Sequence, residues 1–282
     1  MMKYKQKKSD RNFNEISLVI VFMIIMSGSS VLLSNNTATH SNTTTNNSSY
    51  SSLISELSNL EDQFPDLINI TEIGKTTENR SIVATKLTSN ATRNPTKPSV
   101  LFIGGIHGKE LITVNMMFHL IDSLTSSYNR DAHVTKLLER CNIWIIPCLN
   151  PDGYERTQNK DPWRKNMRDN GDGTFGVDLN RNFGHEWGTD SHTSDNPSSN
   201  TYHGPHPFSE PETQALRSLV GNVSFTASIS FHSYGEEILF PWGYTEEKTD
   251  QYDLQSEIAS DMAAMNGYEV MQASDQYVAH GD

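Results

Sequence analysis

His107 and Glu110, in Gly104-Gly105-Ile106-His107-Gly108-Lys109-Glu110, and His232, in Ser230-Phe231-His232-Ser233-Tyr234, are the residues of this chain whose types best suit metal chemistry. Imidazole and carboxylate both bind zinc. Two histidines with one glutamate leave a fourth position for a water that the metal can activate. H-x-x-E alone arises often by chance, and its setting is what raises it. The apolar run Ser99-Val100-Leu101-Phe102-Ile103 comes just before and reads as a buried strand. Gly104 and Gly105 then end that strand. The two ligands therefore lie on a loop at a strand's C-terminal end, where open α/β sheets place their sites.

Between these ligands stand further polar clusters. Asn150-Pro151-Asp152-Gly153-Tyr154 follows the apolar run Ile143-Trp144-Ile145-Ile146, and Trp163-Arg164-Lys165 comes soon after. Then come Asp178-Leu179-Asn180-Arg181-Asn182-Phe183, Tyr202-His203-Gly204-Pro205 and Phe208-Ser209-Glu210-Pro211-Glu212-Thr213. Taken in this order with the His-x-x-Glu pair and His232-Ser233-Tyr234, they make the chain resemble the zinc carboxypeptidases typified by pancreatic carboxypeptidase A. The resemblance runs from Leu53 to Asp282, and the ordered set is far more specific than any one motif.

The resemblance implies a role for each matching residue. His107, Glu110 and His232 would hold one Zn²⁺. Asp178 would accept the second ring N–H of the first histidine, as a partner behind a metal ligand commonly does. Asn180 and Arg181 would grip the terminal carboxylate of a peptide or protein, for which the planar guanidinium fork is well shaped. Arg164 would stabilise the oxyanion. Tyr277, in Tyr277-Val278-Ala279-His280-Gly281-Asp282, would close over the bound C-terminus. The family's general-base glutamate lies on a strand past the tyrosine motif, and residues 53–282 contain no match for it. We therefore expect a C-terminally truncated zinc metallocarboxypeptidase domain. The alternatives are a deacylase of N-acyl amino acids on the same scaffold, or a non-catalytic zinc- or peptide-binding surface protein.

The elements that must position these residues are legible as alternating patterns. Helical spacing appears around Leu53-Ile54-x-x-Leu57-x-x-Leu60, over Leu111 to Ser127 and over Tyr252 to Asn266. Another helix is expected over Glu210 to Val220, opened by a capping box of Ser209 and Glu212. Strands are expected at Ile68 to Ile73, Ser81 to Leu87, Ser99 to Ile103, Ile143 to Cys148, Phe225 to Phe231 and Ile238 to Pro241. Interleaved strands and helices predict an α/β fold, a mixed, mostly parallel sheet with helices on both faces and its C-terminal part missing.

Length and composition fit one large α/β domain: 282 residues with a net charge of -12. That charge argues against nucleic acid as a partner. A monomer is expected. Lys3, Lys5, Lys7, Lys8 and Arg11 precede an apolar run from Leu18 to Met26, which reads as a secretory signal over residues 1–34, or as a short membrane anchor. Residues 35–52, nearly all Ser, Thr and Asn, read as a disordered stalk. Glycosylation sequons in this tract and beyond fit an extracellular, glycosylated protein. Cys141 and Cys148 flank an expected strand. Seven extended residues span about 23 Å, too far for the roughly 7 Å limit between disulfide Cα atoms, so both are expected to be free thiols.

Overall fold

The apolar run Ser99–Ile103 forms β4, and its side chains alternate between two hydrophobic clusters. Val100 and Phe102 join the cluster built on helices α1 (Tyr50–Gln63) and α2 (Leu111–Ser127). Leu101 and Ile103 join the cluster built on α5 (Pro211–Asn222). A central strand with apolar residues on both faces needs a helix layer on each side. The computed structural model describes residues 20–26 (backbone only), 49–89, 97–159, 161–188 and 190–282.

The remaining strands are β1 (Ile20–Met26), β2 (Ile68–Lys75), β3 (Ser81–Leu87), β5 (Asn142–Ile146), β6 (Phe225–Ser233), β7 (Glu237–Phe240) and β8 (Glu269–Gln272). They form one sheet in the order β2-β3-β5-β4-β6-β1-β7-β8. Strands β5, β4 and β6 run parallel, with Ile103 opposite both Ile146 and Ser230. Strands β2, β3 and β5 pair antiparallel. The remaining helices are α3 (Ala132–Arg140), α4 (Pro151–Gln158), α6 (Tyr252–Asn266) and α7 (Ala273–Gln276). Helix α6 covers the β7 end through Ala259, against Ile238 and Phe240. The expected mixed, mostly parallel sheet with helices on both faces is the fold observed.

Three differences from the sequence reading have plain physical causes. Ile20–Met26, read as part of a signal or anchor, is a strand parallel to β6 and antiparallel to β7, with Ile25 opposite His232. A short, wholly apolar run rich in Ile and Val suits an inner strand of a sheet as well as a leader core, and periodicity does not separate them. The rest of segment 1–34 and most of the expected stalk lie outside the described residues. The end of that stalk, 49–52, is the first turn of α1. Ser49 caps it by accepting from the Ser52 amide, and Tyr50 is buried with its hydroxyl on the Ser81 carbonyl. Ser-rich composition hid a capped helix start there.

The capping box at α5 is not formed. Glu210 takes the N-cap position with Pro211 after it. Ser209 Oγ donates to Glu210 Oε1, and Glu212 is turned inward to Asn166. Cys141 and Cys148 are both free. Among the described residues no helix is long and apolar enough to cross a membrane.

Candidate functional site

Because β4, β5 and β6 run parallel, their C-terminal ends open on one edge of the sheet, and the predicted ligands gather there. His107 and Glu110 lie on the loop from β4 to α2, and His232 lies near the end of β6. All three are buried, with one donor atom from each within 4.8 Å of the others. His107 Nδ1 is 2.8 Å from Glu110 Oε1, and His232 Nδ1 is 3.1 Å from Glu110 Oε2. The two Nδ1 atoms are 3.1 Å apart.

The tautomer of His107 follows from its other side. Its Nε2 lies 3.2 Å from Asp178 Oδ1, and Asp178 is fully buried. A carboxylate there favours the ring proton on Nε2, which would leave the Nδ1 lone pair to a metal. Two imidazole nitrogens and a carboxylate thus face one another, an arrangement that a divalent cation satisfies and protons satisfy poorly. The donor set, two nitrogens and a carboxylate, suits zinc.

Charge follows this geometry. Burial alone would raise Glu110 toward the neutral acid, but the His107 and His232 imidazoles outweigh it and hold its carboxyl well below the usual carboxylate range. Burial would also raise Asp178. Arg164 foremost, and His107, hold it down instead. Arg164 approaches Asp178 Oδ2 through Nε at 2.9 Å and Nη2 at 2.8 Å. Burial depresses His232, against the pull of Glu110.

Asp178 also caps the 3₁₀ turn Leu179–Arg181 by accepting from the Asn180 amide at 3.1 Å. That turn carries the two expected carboxylate-gripping residues, both buried. Arg181 Nη2 lies 3.5 Å from the Tyr277 hydroxyl, and its guanidinium carbon sits 5.7 Å from the Tyr277 ring centroid. The ring of His192 lies 5.0 Å from the other predicted partner of this group, Tyr277. The structure therefore joins His107, Glu110, His232, Asp178 and Arg164 in one cluster, and Arg181 with Tyr277 in a second. The turn 179–181 connects them.

The sequence reading assigned no role to Asn150, yet Asn150 ties these parts together. Its side-chain amide donates to the carbonyls of Ile106 and Lys165, each at 3.1 Å, and its oxygen caps α4 on the Gly153 amide. The loop of His107 and the segment of Arg164 are thereby fixed to one helix start. A Cβ on Gly108 would lie 2.2 Å from the Gly153 carbonyl carbon, so the two loops meet backbone to backbone. The Gly108 amide donates to the Arg164 carbonyl at 3.2 Å. Asn followed by Pro is an N-cap and N1 signal that the sequence offered at this position. Asp152, fully buried, accepts from Thr76 Oγ1, the Glu78 amide and Arg80 Nη1, which anchors the β2–β3 turn to α4.

The family model described as zinc carboxypeptidase matches residues 53–281. The chain is 33% identical over 203 residues to Metallocarboxypeptidase A of Trichophyton rubrum, covering 70% of this chain and 48% of that protein. It is 31% identical over 215 residues to Carboxypeptidase A4 of Mus musculus, covering 75% and 50%. Among solved structures, carboxypeptidase A from Helicoverpa armigera superposes with a TM-score of 0.76 at 28% identity, covering 83% of this chain and 59% of that one. Thrombin-activatable fibrinolysis inhibitor gives 0.77 at 28%, covering 83% and 61%. This chain belongs to the zinc carboxypeptidase family. It spans about half the length of the curated relatives it matches.

Proposed function

We propose that the protein is a zinc-dependent metallocarboxypeptidase that hydrolyses the C-terminal peptide bond of peptides or proteins. The observation that carries this reading is the buried convergence of His107, Glu110 and His232 beside an Arg164–Asp178 pair, joined by one turn to Arg181 facing Tyr277. His107, Glu110 and His232 would hold one Zn²⁺, which supplies a Lewis acid and an acidified water when bound. Arg181, with Asn180, grips the substrate's terminal carboxylate by charge-assisted hydrogen bonds. Tyr277 closes on the same group and shields it from water. Arg164, steadied on Asp178, presents donors to the oxygen that gains charge as the bond breaks. We assign no residue of 53–282 as the general base.

Substrate polarity tests the reading. Peptides with a free C-terminus should be cleaved and their C-terminal amides should not. Equal turnover of both would point to an endopeptidase or another reaction. We also propose a monomeric protein acting outside the cell. Export needs the run at 18–26 to work as a leader rather than as β1, and mass spectrometry of the mature N-terminus decides which it does.

A further inference from the structure

Two asparagines next to the proposed substrate-binding arginines converge on the same helix start. Asn166 lies two residues after Arg164, and Asn182 directly follows Arg181. Both are fully buried. Asn166 Nδ2 donates to Glu210 Oε2 at 2.7 Å and to Glu212 Oε2 at 3.0 Å. Its Oδ1 accepts from the Val177 amide at 2.8 Å, and its own amide donates to the Val177 carbonyl at 3.0 Å. Val177 precedes Asp178, so Asn166 fixes the segment of Arg164 against the carboxylate that Arg164 binds.

Asn182 makes a similar set of bonds from the other side. Its Oδ1 accepts from Thr213 Oγ1 at 2.8 Å and from the Glu210 amide at 3.3 Å. Its Nδ2 donates to Ser209 Oγ at 2.8 Å and to the carbonyls of His203 at 2.8 Å and His206 at 3.1 Å. Arg168 Nη1 and Ser209 Oγ complete Glu210 on Oε1. Glu210, Glu212 and Thr213 are themselves fully buried. Burying so many polar groups is costly unless they are satisfied, and the pairing of all of these side-chain atoms except Glu212 Oε1 holds the network rigid.

We propose that Asn166 and Asn182 are positioning residues that hang the two substrate-facing arginines from one buried anchor at the start of α5, Asn166 setting Arg164 and Asn182 setting Arg181. This rests on the carboxypeptidase reading of the site. The two asparagines should then differ in kinetic signature. Arg164 acts on charge that exists only in the transition state, so disturbing it lowers kcat. Arg181 holds a carboxylate present in ground and transition states alike, so disturbing it raises KM.

The experiment measures kcat and KM on a free-acid peptide and its amide, with zinc content and Tm, for the full-length zinc-loaded protein and its variants. Asn166→Ala should lower kcat about 10–100-fold, the scale of a misplaced reacting group, with KM little changed. Asn182→Ala should raise the free-acid KM about tenfold or more, the scale of a weakened charge-assisted contact, with kcat little changed and discrimination against the amide reduced. Zinc content should stay at one per chain in both. If an alanine variant does not fold, Glu212→Met (which removes one acceptor from Asn166) or Thr213→Val (which removes one donor to Asn182) takes its place with the same expected split.

Equal changes in kcat and KM for both asparagines, or a lowered Tm with unchanged kinetics, would overturn the proposal. So would failure of all four variants to fold, because the network would then support the core and not the arginines. An unmutated protein that cleaves amides as fast as free acids overturns the carboxypeptidase reading instead.

Discussion

His107, Glu110 and His232 reach their common point from the ends of β4 and β6, whereas Arg164, Asn180 and Arg181 ride on segments outside the sheet. The first group is placed by a parallel ladder whose register fixes both strand ends at once. The second is placed by side-chain amides and carboxylates: Asn150, Asn166, Asp178 and Asn182. Ladder placement depends on backbone that tolerates many side chains. Placement by buried polar groups depends on particular atoms and fails when one is removed. Metal retention and substrate handling should therefore separate cleanly under mutation.

The largest effect tests the strand-end group. His107→Ala, Glu110→Ala and His232→Ala should each remove most of the zinc and nearly all activity, since three protein ligands are the usual set of a catalytic zinc site. Stoichiometric zinc by elemental analysis in all three would dismantle the assignment. Next comes Arg181→Ala, which should cost roughly 2–5 kcal/mol in kcat/KM for free-acid peptides while leaving zinc content unchanged. Loss of zinc in that variant would mean the two groups are not separable. Asp178→Asn touches both groups, through His107 and through Arg164. It should lower activity or zinc affinity about 10–100-fold, and a neutral result on both would remove Asp178 from the site.

A smaller effect probes the buried anchor by pH. Burial pushes the Glu212 carboxyl up to about 8 from an ordinary 4.5. The folded protein thus keeps a proton there that the unfolded chain has lost. Stability falls as pH rises from 4.5 to 8 and is level above. Glutamine cannot ionise, so the Tm of Glu212→Gln relative to the unmutated protein should climb across that window, by about 2–4 °C for each kcal/mol. A difference that is flat with pH would show that Glu212 is not held neutral. The smallest effect is at α1, where Ser49→Ala should cost about 1 kcal/mol of stability with kinetics unchanged, read by denaturant unfolding.

The same contrast explains what the sequence disclosed. Strand β4 announces itself as an apolar run and β6 as an alternation of apolar and small polar residues, so His107, Glu110 and His232 could be placed at their ends without a structure. Helix α2 matched its expected bounds because its apolar spacing runs unbroken, and α6 matched although Gln255 stands in its buried face. Helix α4 was not read, since it is short, only four of its residues are buried, and its one signal is the Asn-Pro start. Asn166 looks like an ordinary polar residue in sequence and Glu212 like half of a capping box, and only long-range pairing joins them beside the site. The run at 20–26 shows the reverse difficulty: one apolar string suits two different environments, a leader core and the strand that pairs with β6 and β7.

The contact of Gly108 with Gly153 has a use in measurement. Where two backbones touch, solvent reaches the bonded amide only if the loops part, and the Gly108 amide is held on the Arg164 carbonyl at that seam. Its exchange with deuterium should therefore be slow, on the scale of core strands rather than of exposed loops. One backbone signal would then act as a gauge of how often the ligand loop and the arginine segment come apart in solution, with no substrate present.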